Sequence, residues 1–396
     1  MQILAILLLS LSLAGCSTID TLSDTVNGAA EYFFGADNAE PPVELVEYKP
    51  EVEIDVLWEE TIGDGPGEKY LKLRPVVTES TIFVADHTGV VQALNRHNGD
   101  LKWEAETELP LSAGPGLSDR TLVFASSRGD VIALNPDNGQ KLWTAKISSE
   151  VLSTPVIADG LVVIRSIDGR MLAFSEADGH KVWNFDRNVP VLSLRGTGTP
   201  IVEDGILIGG FDNGKLLALR LKDGKQVWEE SIAIPQGRSE VERIVDLDVD
   251  PLLQKSIIYI AGFHGGVCAA LTRNGDVLWR NDEISSYAGM SQDDSYLYLS
   301  DSSSDVWQLD QRNGASLWKQ KELHQRRLTA AIVYSNYVVV ADFEGYVHWL
   351  SRNDGRQLGR TQVVSESIDV APVIKDDIVY VYAKDGTLAA LKARSL

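Results

Sequence analysis

The side chains able to attack, to ligate a metal or to move protons are scattered through this chain of 396 residues. The two cysteines, Cys16 and Cys268, lie far apart, so no CxxC pair and no disulfide framework arises. His87, His97, His180, His264, His324 and His348 fall in different stretches. None stands in HExxH or in another two-histidine spacing suited to zinc. The nearest imitation of a phosphate loop, Gly262 to Gly266, is a Gly-rich turn with no helix after it. Cys268 reads as a small buried hydrophobe of a strand. No catalytic, cofactor-binding or metal-ligating residue is therefore expected. Acidic residues number 57 against 36 Lys and Arg, for a formal net charge of −21. Neutralising phosphates needs clustered cations, which excludes nucleic acid and favours solubility and a basic partner.

What organises the chain is a repeat. The clearest unit is ADHTGVVQALNRHNGDLKW at 85–103, with copies at 125–143, 165–183, 209–228 and 261–279. Weaker copies occupy 300–318 and 341–359, and 382–396 is an incomplete one. Within a unit, a β-branched run such as Leu161 to Ile164 predicts one strand. A turn at Asp168–Gly169 leads to a second strand through Met171, Ala173 and Phe174. Asn98–Gly99 and Asp178–Gly179 supply tight turns that need positive φ. A short strand ending in Trp follows. With the preceding strand around Thr154 to Ile157, each unit has four antiparallel strands, which is a propeller blade.

Trp58, Trp103, Trp143, Trp183, Trp228, Trp279 and Trp318 end the units, and Gly359 takes the eighth place. Each Trp is expected to fill the wedge between adjacent blades. The last copy has no outer strand and Val56–Leu57–Trp58 has no strands before it, so the amino-terminal strand should complete the last blade. The expected fold is all-β, an eight-bladed propeller over 51–396 sealed by that strand.

The amino terminus reads as an address. Residues 3–9, ILAILLL, are too few to span a membrane and fit the apolar core of a signal peptide, although no Lys or Arg precedes them. Leu13-Ala14-Gly15-Cys16 resembles the bacterial lipobox. That resemblance implies removal of 1–15 and acylation (diacylglycerol and palmitate) of Cys16. Ser17, where an Asp would resemble the inner-membrane retention signal, implies passage to the outer membrane. Residues 16–50, with Pro41, Pro42 and Pro50, read as a tether.

Most Trp-to-Trp intervals are 39 to 41 residues, but Trp58 to Trp103 and Trp183 to Trp228 span 45 and Trp228 to Trp279 spans 51. The latter two put their extra residues into consecutive blade connections, 188–199 and 235–251, which should be neighbours on one rim. In the first, alternation sets Leu192 and Leu194 on one side, with Arg195 beside them. In the second, Asp246 and Asp248 alternate likewise. Apolar anchors beside both signs of charge suit an interface. Equally, the leucines could plug the ring while Arg195 pairs with an Asp of the second segment.

The Trp-ended unit over 51–396 resembles the pyrroloquinoline-quinone (PQQ) type propeller repeat. Two families share it, the quinoprotein alcohol dehydrogenases and the BamB lipoproteins of the outer-membrane β-barrel assembly machinery. The lipobox, length and single eight-bladed unit are similar to BamB. Membership would imply a non-enzymatic periplasmic scaffold on a lipid anchor. Its LSLRG and DLDVD motifs would contact the POTRA domains of the central barrel protein, BamA. That role falls on Leu192, Leu194, Arg195, Asp246 and Asp248. Unfolded outer-membrane protein precursors would be a second kind of partner. The alternative, a periplasmic PQQ-dependent dehydrogenase, would need a cofactor cavity, Ca²⁺ and a base Asp. This chain has no neighbouring-cysteine pair of the kind those enzymes set against the quinone.

Overall fold

The computed structural model describes residues 40–67, 71–187, 197–233 and 245–396. Among them the strands form eight sheets, each an antiparallel four-stranded blade; one carries a fifth strand. In chain order the blades are 76–106, 111–146, 156–185, 201–231, 252–281, 290–320 and 332–362, here blades 1 to 7. Blade 8 is built from both ends of the ring: 373–395 supplies three strands and Val52–Thr61 the outermost. The expected closure is thus observed, Val52 lying opposite Ser395 and Thr61 opposite Thr387.

The second and third strands are buried on both faces. Met171–Ser175 shows no alternation because neighbouring blades cover it front and back. Alternation survives in the outermost strands; in Lys181–Phe185 the inward Trp183 is buried while Lys181 and Val182 are exposed.

Tryptophan joins each blade to the next. The indole N–H of Trp183 donates to the Leu221 carbonyl at 2.7 Å, and its ring lies under Gly224 of the following hairpin. The same pair of contacts joins Trp58 to Arg96 and Gly99, Trp103 to Pro136 and Gly139, and Trp143 to Glu176 and Gly179. It continues with Trp228 to Thr272 and Gly275, Trp279 to Gln311 and Gly314, and Trp318 to Arg352 and Gly355. The turn glycine serves twice: it takes the positive φ, and its missing Cβ makes room for the ring.

Seven docks serve eight seams, and the exception has a cause. Blade 8 has no hairpin between its third and fourth strands, because Thr387–Ser395 and Val52–Thr61 come from opposite ends of the ring. A Trp from blade 7 would have no turn to lie under, and Gly359 stands there instead, close against the Val52 carbonyl. The large ring moves across the strand pair. Trp349, opposite Gly359, is fully buried and donates to the Tyr334 hydroxyl at 3.0 Å, whereas six other blades set an Ala such as Ala173 opposite their Trp and blade 6 sets Gln308 opposite Trp318.

Residues 42–50, assigned above to the tether, pack on the ring and belong to its compact unit. Val43 N–H donates to the His324 carbonyl at 3.1 Å, Arg326 and Arg360 donate to the carbonyls of Val43 and Val46, and Arg360 lies over Tyr48. Beneath, the buried Asp342 accepts from Arg326 at 2.8 Å and stands 3.0 Å from His348. Burial holds His348 below its ordinary value.

Strand alternation puts the third-to-fourth-strand hairpins on one face of the ring. The second-to-third-strand turns and all blade connections share the other, here called the connection face.

The docks predict a graded penalty. Gly160 and Gly179 both have positive φ, but a Cβ at Gly160 meets open space while one at Gly179 comes within 2.5 Å of the Trp143 ring. Denaturant unfolding should show Gly160→Ala costing about 1–2 kcal/mol for backbone strain. Gly179→Ala should cost that plus about 1–3 kcal/mol for overpacking. Equal losses would mean that the ring contact carries no stability.

Candidate functional site, a charged loop cluster on the connection face

The site lies between blades 3, 4 and 5, where the two long connections leave the ring. Leu192, Leu194 and Arg195 lie outside the described residues, as does Cys16. The roots of both connections are described, and they meet. Thr199 N–H donates to Asp250 Oδ1 at 2.6 Å.

The second connection returns as Val245, Asp246, Leu247, Asp248, Val249 and Asp250, in extended alternation. Val245, Leu247 and Val249 are buried in the core, which turns the three carboxylates the other way. Asp246 makes a two-bond bridge to Phe263, at 3.1 and 2.8 Å. The segment can lie this close because blades 4 and 5 carry Gly210 and Gly262 there; a Cβ on either would strike the Leu247 or Asp246 carbonyl. Blades 1 and 2 have Ala85 and Ala125 near the equivalent place.

Arg165 organises the cluster. It is 1% exposed, donates from Nη1 to the Gly198 carbonyl at 3.0 Å, and pairs from Nη2 with Asp212 Oδ1 at 3.2 Å. Its guanidinium lies over the Phe211 ring at 4.5 Å, and Arg187 lies over the same ring at 5.1 Å. Arg187 in turn pairs with Glu229 at 2.7 Å, fixing the chain just before the first connection departs.

Asp212, Asp246 and Asp248 each offer a carboxylate oxygen within 4.8 Å of the others. The expected pairing of Asp246 with Asp248 on one side is therefore observed, and Asp212 joins them. A hard cation takes oxygen ligands of this kind. Here, however, the Arg165 guanidinium already faces Asp212, and a metal among these carboxylates would sit against that positive charge. Burial pushes the Asp248 carboxyl up to about 6, with Arg165 pulling against it and Asp212 adding to it. Among the described residues the arrangement is a largely buried group of three carboxylates beside one guanidinium.

Sequence reasoning missed four of these residues. Arg165 was visible as an Arg where other copies carry Ala, and Asp250 as the next step of the Asp246–Asp248 alternation. Asp212 sits in the second-to-third-strand turn of blade 4, where blades 1, 2 and 3 carry His87, Ser127 and Ile167. Lys72, whose Nζ pairs with Asp250 Oδ1 at 2.7 Å, falls in the long connection from blade 8 to blade 1. Cys268 is buried as expected, and burial pushes its thiol up to about 12.

A ring of eight four-stranded blades joined by tryptophan docks, with charged loops gathered on one face, defines a propeller of the PQQ-like repeat class. The family model described as outer membrane protein assembly factor BamB matches residues 87–320 and 309–396. The Pseudomonas aeruginosa factor of that name is 44% identical over 390 residues, covering 98% of each chain. That of Alkalilimnicola ehrlichii is 46% identical over 341 residues, covering 86% of this chain and 89% of its own. The chain belongs to the BamB family. Among solved structures, Moraxella catarrhalis BamB superposes with a TM-score of 0.77 at 20% identity, over 86% of this chain and all of its own. A quinohemoprotein alcohol dehydrogenase from Comamonas testosteroni reaches 0.67 at 13%, over 87% and 77%. At such identities both likenesses concern the fold alone.

The raised Asp248 value sets a pH test. Folded Asp248 holds a proton up to about pH 6, whereas an ordinary Asp loses it near 3.8. Its contribution to stability is therefore favourable at low pH and lost as pH rises through the folded value. Asp248→Asn should raise the unfolding temperature at about pH 7.5, and by less at about pH 5. An equal shift at both pH values would contradict the buried-charge reading.

Proposed function

We propose that the chain is a non-enzymatic, lipid-anchored scaffold of the outer-membrane β-barrel assembly complex, facing the periplasm and assisting insertion of outer-membrane proteins. It docks the POTRA domains of the central barrel protein, BamA, through the connection face, with Leu192, Leu194, Arg195, Asp246 and Asp248 at the contact. One observation carries the reading: two consecutive long connections, absent from the regular repeat, are held together at their roots by Arg165 and Asp250 in a chain of the BamB family. A rigid base that presents apolar anchors beside charges lowers the ordering cost of association. Cys16 carries the anchor, and several acyl chains make it stable. Unfolded barrel precursors are a second class of partner, taken up along exposed strand edges.

Capture of the POTRA domains by the folded protein tests the reading. Leu194→Ala and Asp246→Ala should each weaken it, by about tenfold or more if they are central contacts. Undiminished capture by both variants refutes the assignment. For the anchor, labelled palmitate should enter the parent protein and be absent from Cys16→Ser; an unlabelled parent removes the lipoprotein claim.

A further inference from the structure

The connection from blade 8 to blade 1 also exceeds the regular spacing, and residues 72–73 of it turn inward. Lys72–Leu73 forms a short strand parallel to Leu111–Leu117, the innermost strand of blade 2, at Ala113 and Gly114. It therefore lies on the axis side of the blades. Arg74 donates to the Pro372 carbonyl at 2.7 Å, and Leu73 is buried against Phe83 and Phe124. From this strand Lys72 reaches the roots of the other two long connections. Its Nζ donates to the Thr197 carbonyl at 2.8 Å and pairs with Asp250 Oδ1 at 2.7 Å. Asp250 Oδ1 is also the atom that accepts from Thr199 N–H. All three irregular intervals of the sequence, from blades 8 to 1, 3 to 4 and 4 to 5, thus converge on one ammonium group and one carboxylate.

We propose that Lys72 and Asp250 are positioning residues of the partner site: the lumen strand is a brace that holds the roots of both connections in one register. The inference rests on the docking face assigned above. The brace fits the local electrostatics. Enclosure works against charge on Asp250, but Lys72 and the Thr199 amide outweigh it and hold the carboxyl below its ordinary range. Lys72 also offsets the crowded negative charge that Asp248 shares with Asp212. The pair is half wetted, with 28% and 52% of the side chains exposed, so it contributes little to the ring as a whole. What it sets is local: whether Thr197 to Thr199 and Asp248 to Asp250 open together or stay closed.

The test uses the full chain with Lys72→Met, Lys72→Arg and Asp250→Asn, and isolated POTRA domains as the probe. Lys72→Met should unfold within about 2 °C of the parent. Its Thr199 amide should exchange with solvent faster, and its affinity for the probe should fall about fivefold. Lys72→Arg, which keeps the cation, should restore both. Asp250→Asn keeps an acceptor for Thr199 and loses the ion pair, so it should lose affinity with less effect on that amide. It also serves as the independent variant should Lys72→Met not fold. Unchanged amide exchange in Lys72→Met overturns the brace, and faster exchange at unchanged affinity overturns its role in binding. If Leu194→Ala and Asp246→Ala both also capture the probe normally, the docking face is misassigned. The positioning role then falls with it, whatever the Thr199 amide does.

Discussion

The whole architecture depends on one contact: an indole ring slid under the glycine of the next blade's turn, its N–H on a carbonyl of that same blade. A four-stranded blade buries both faces of its middle strands only if its neighbours are present. The dock is what couples neighbours at the outer, wider part of the wedge, where backbone alone would leave a gap. Truncating a buried Trp to Ala costs about 3–5 kcal/mol in ordinary cores. A ring with seven such seams is therefore strongly cooperative, each blade lending its turn to one neighbour and its ring to the other. The eighth seam shows the rule from the other side. Where the chain ends meet there is no turn, and the Trp at that place is replaced by Gly359 with Trp349 filling the space from the adjacent strand.

A ring so constrained has little freedom in its blades, and departures from the repeat fall into the connections. Three connections are long, and all three contribute to one constellation on one side of the lumen. Lys72 enters from the axis, Thr197 to Thr199 from one rim loop, and Asp246 to Asp250 from the next. Arg165 and Asp212 come from the blades themselves and face the carboxylates with a single buried guanidinium. The constellation combines hydrogen-bonded backbone, paired charge, and the apolar Val245, Leu247 and Val249, which turn into the core and hold the loop down.

Blade count, strand order and ring closure were legible in the sequence because the repeat writes each blade out in full, and because a missing outer strand at one end matched a lone Trp strand at the other. The exchange of Trp349 and Gly359 was not legible. It follows from the absence of a hairpin in blade 8, which matters only once the seam is seen in space. At the site, period-two alternation placed Asp246 and Asp248 together. The same alternation continues to Asp250, which the reading passed over. Arg165 and Lys72 could not be assigned from pattern, since their partners lie 33 to 178 residues away and meet them only through the curvature of the ring. The assigned tether was also too long, because the packing of Val43, Val46 and Tyr48 depends on Arg326 and Arg360, far along the chain.

The central claim is that the protein works by presenting one face of a sealed wheel. Site-specific photocrosslinking in intact cells tests it most directly, with probes at Leu192 and Leu194 of the blade 3 to 4 connection and at Asn138 and Asn274 in exposed hairpins of the face opposite the connection face. The account predicts adducts with the POTRA-bearing barrel protein from the first pair and none from the second. Equal adducts from both faces, or adducts from Asn138 and Asn274 alone, would contradict it.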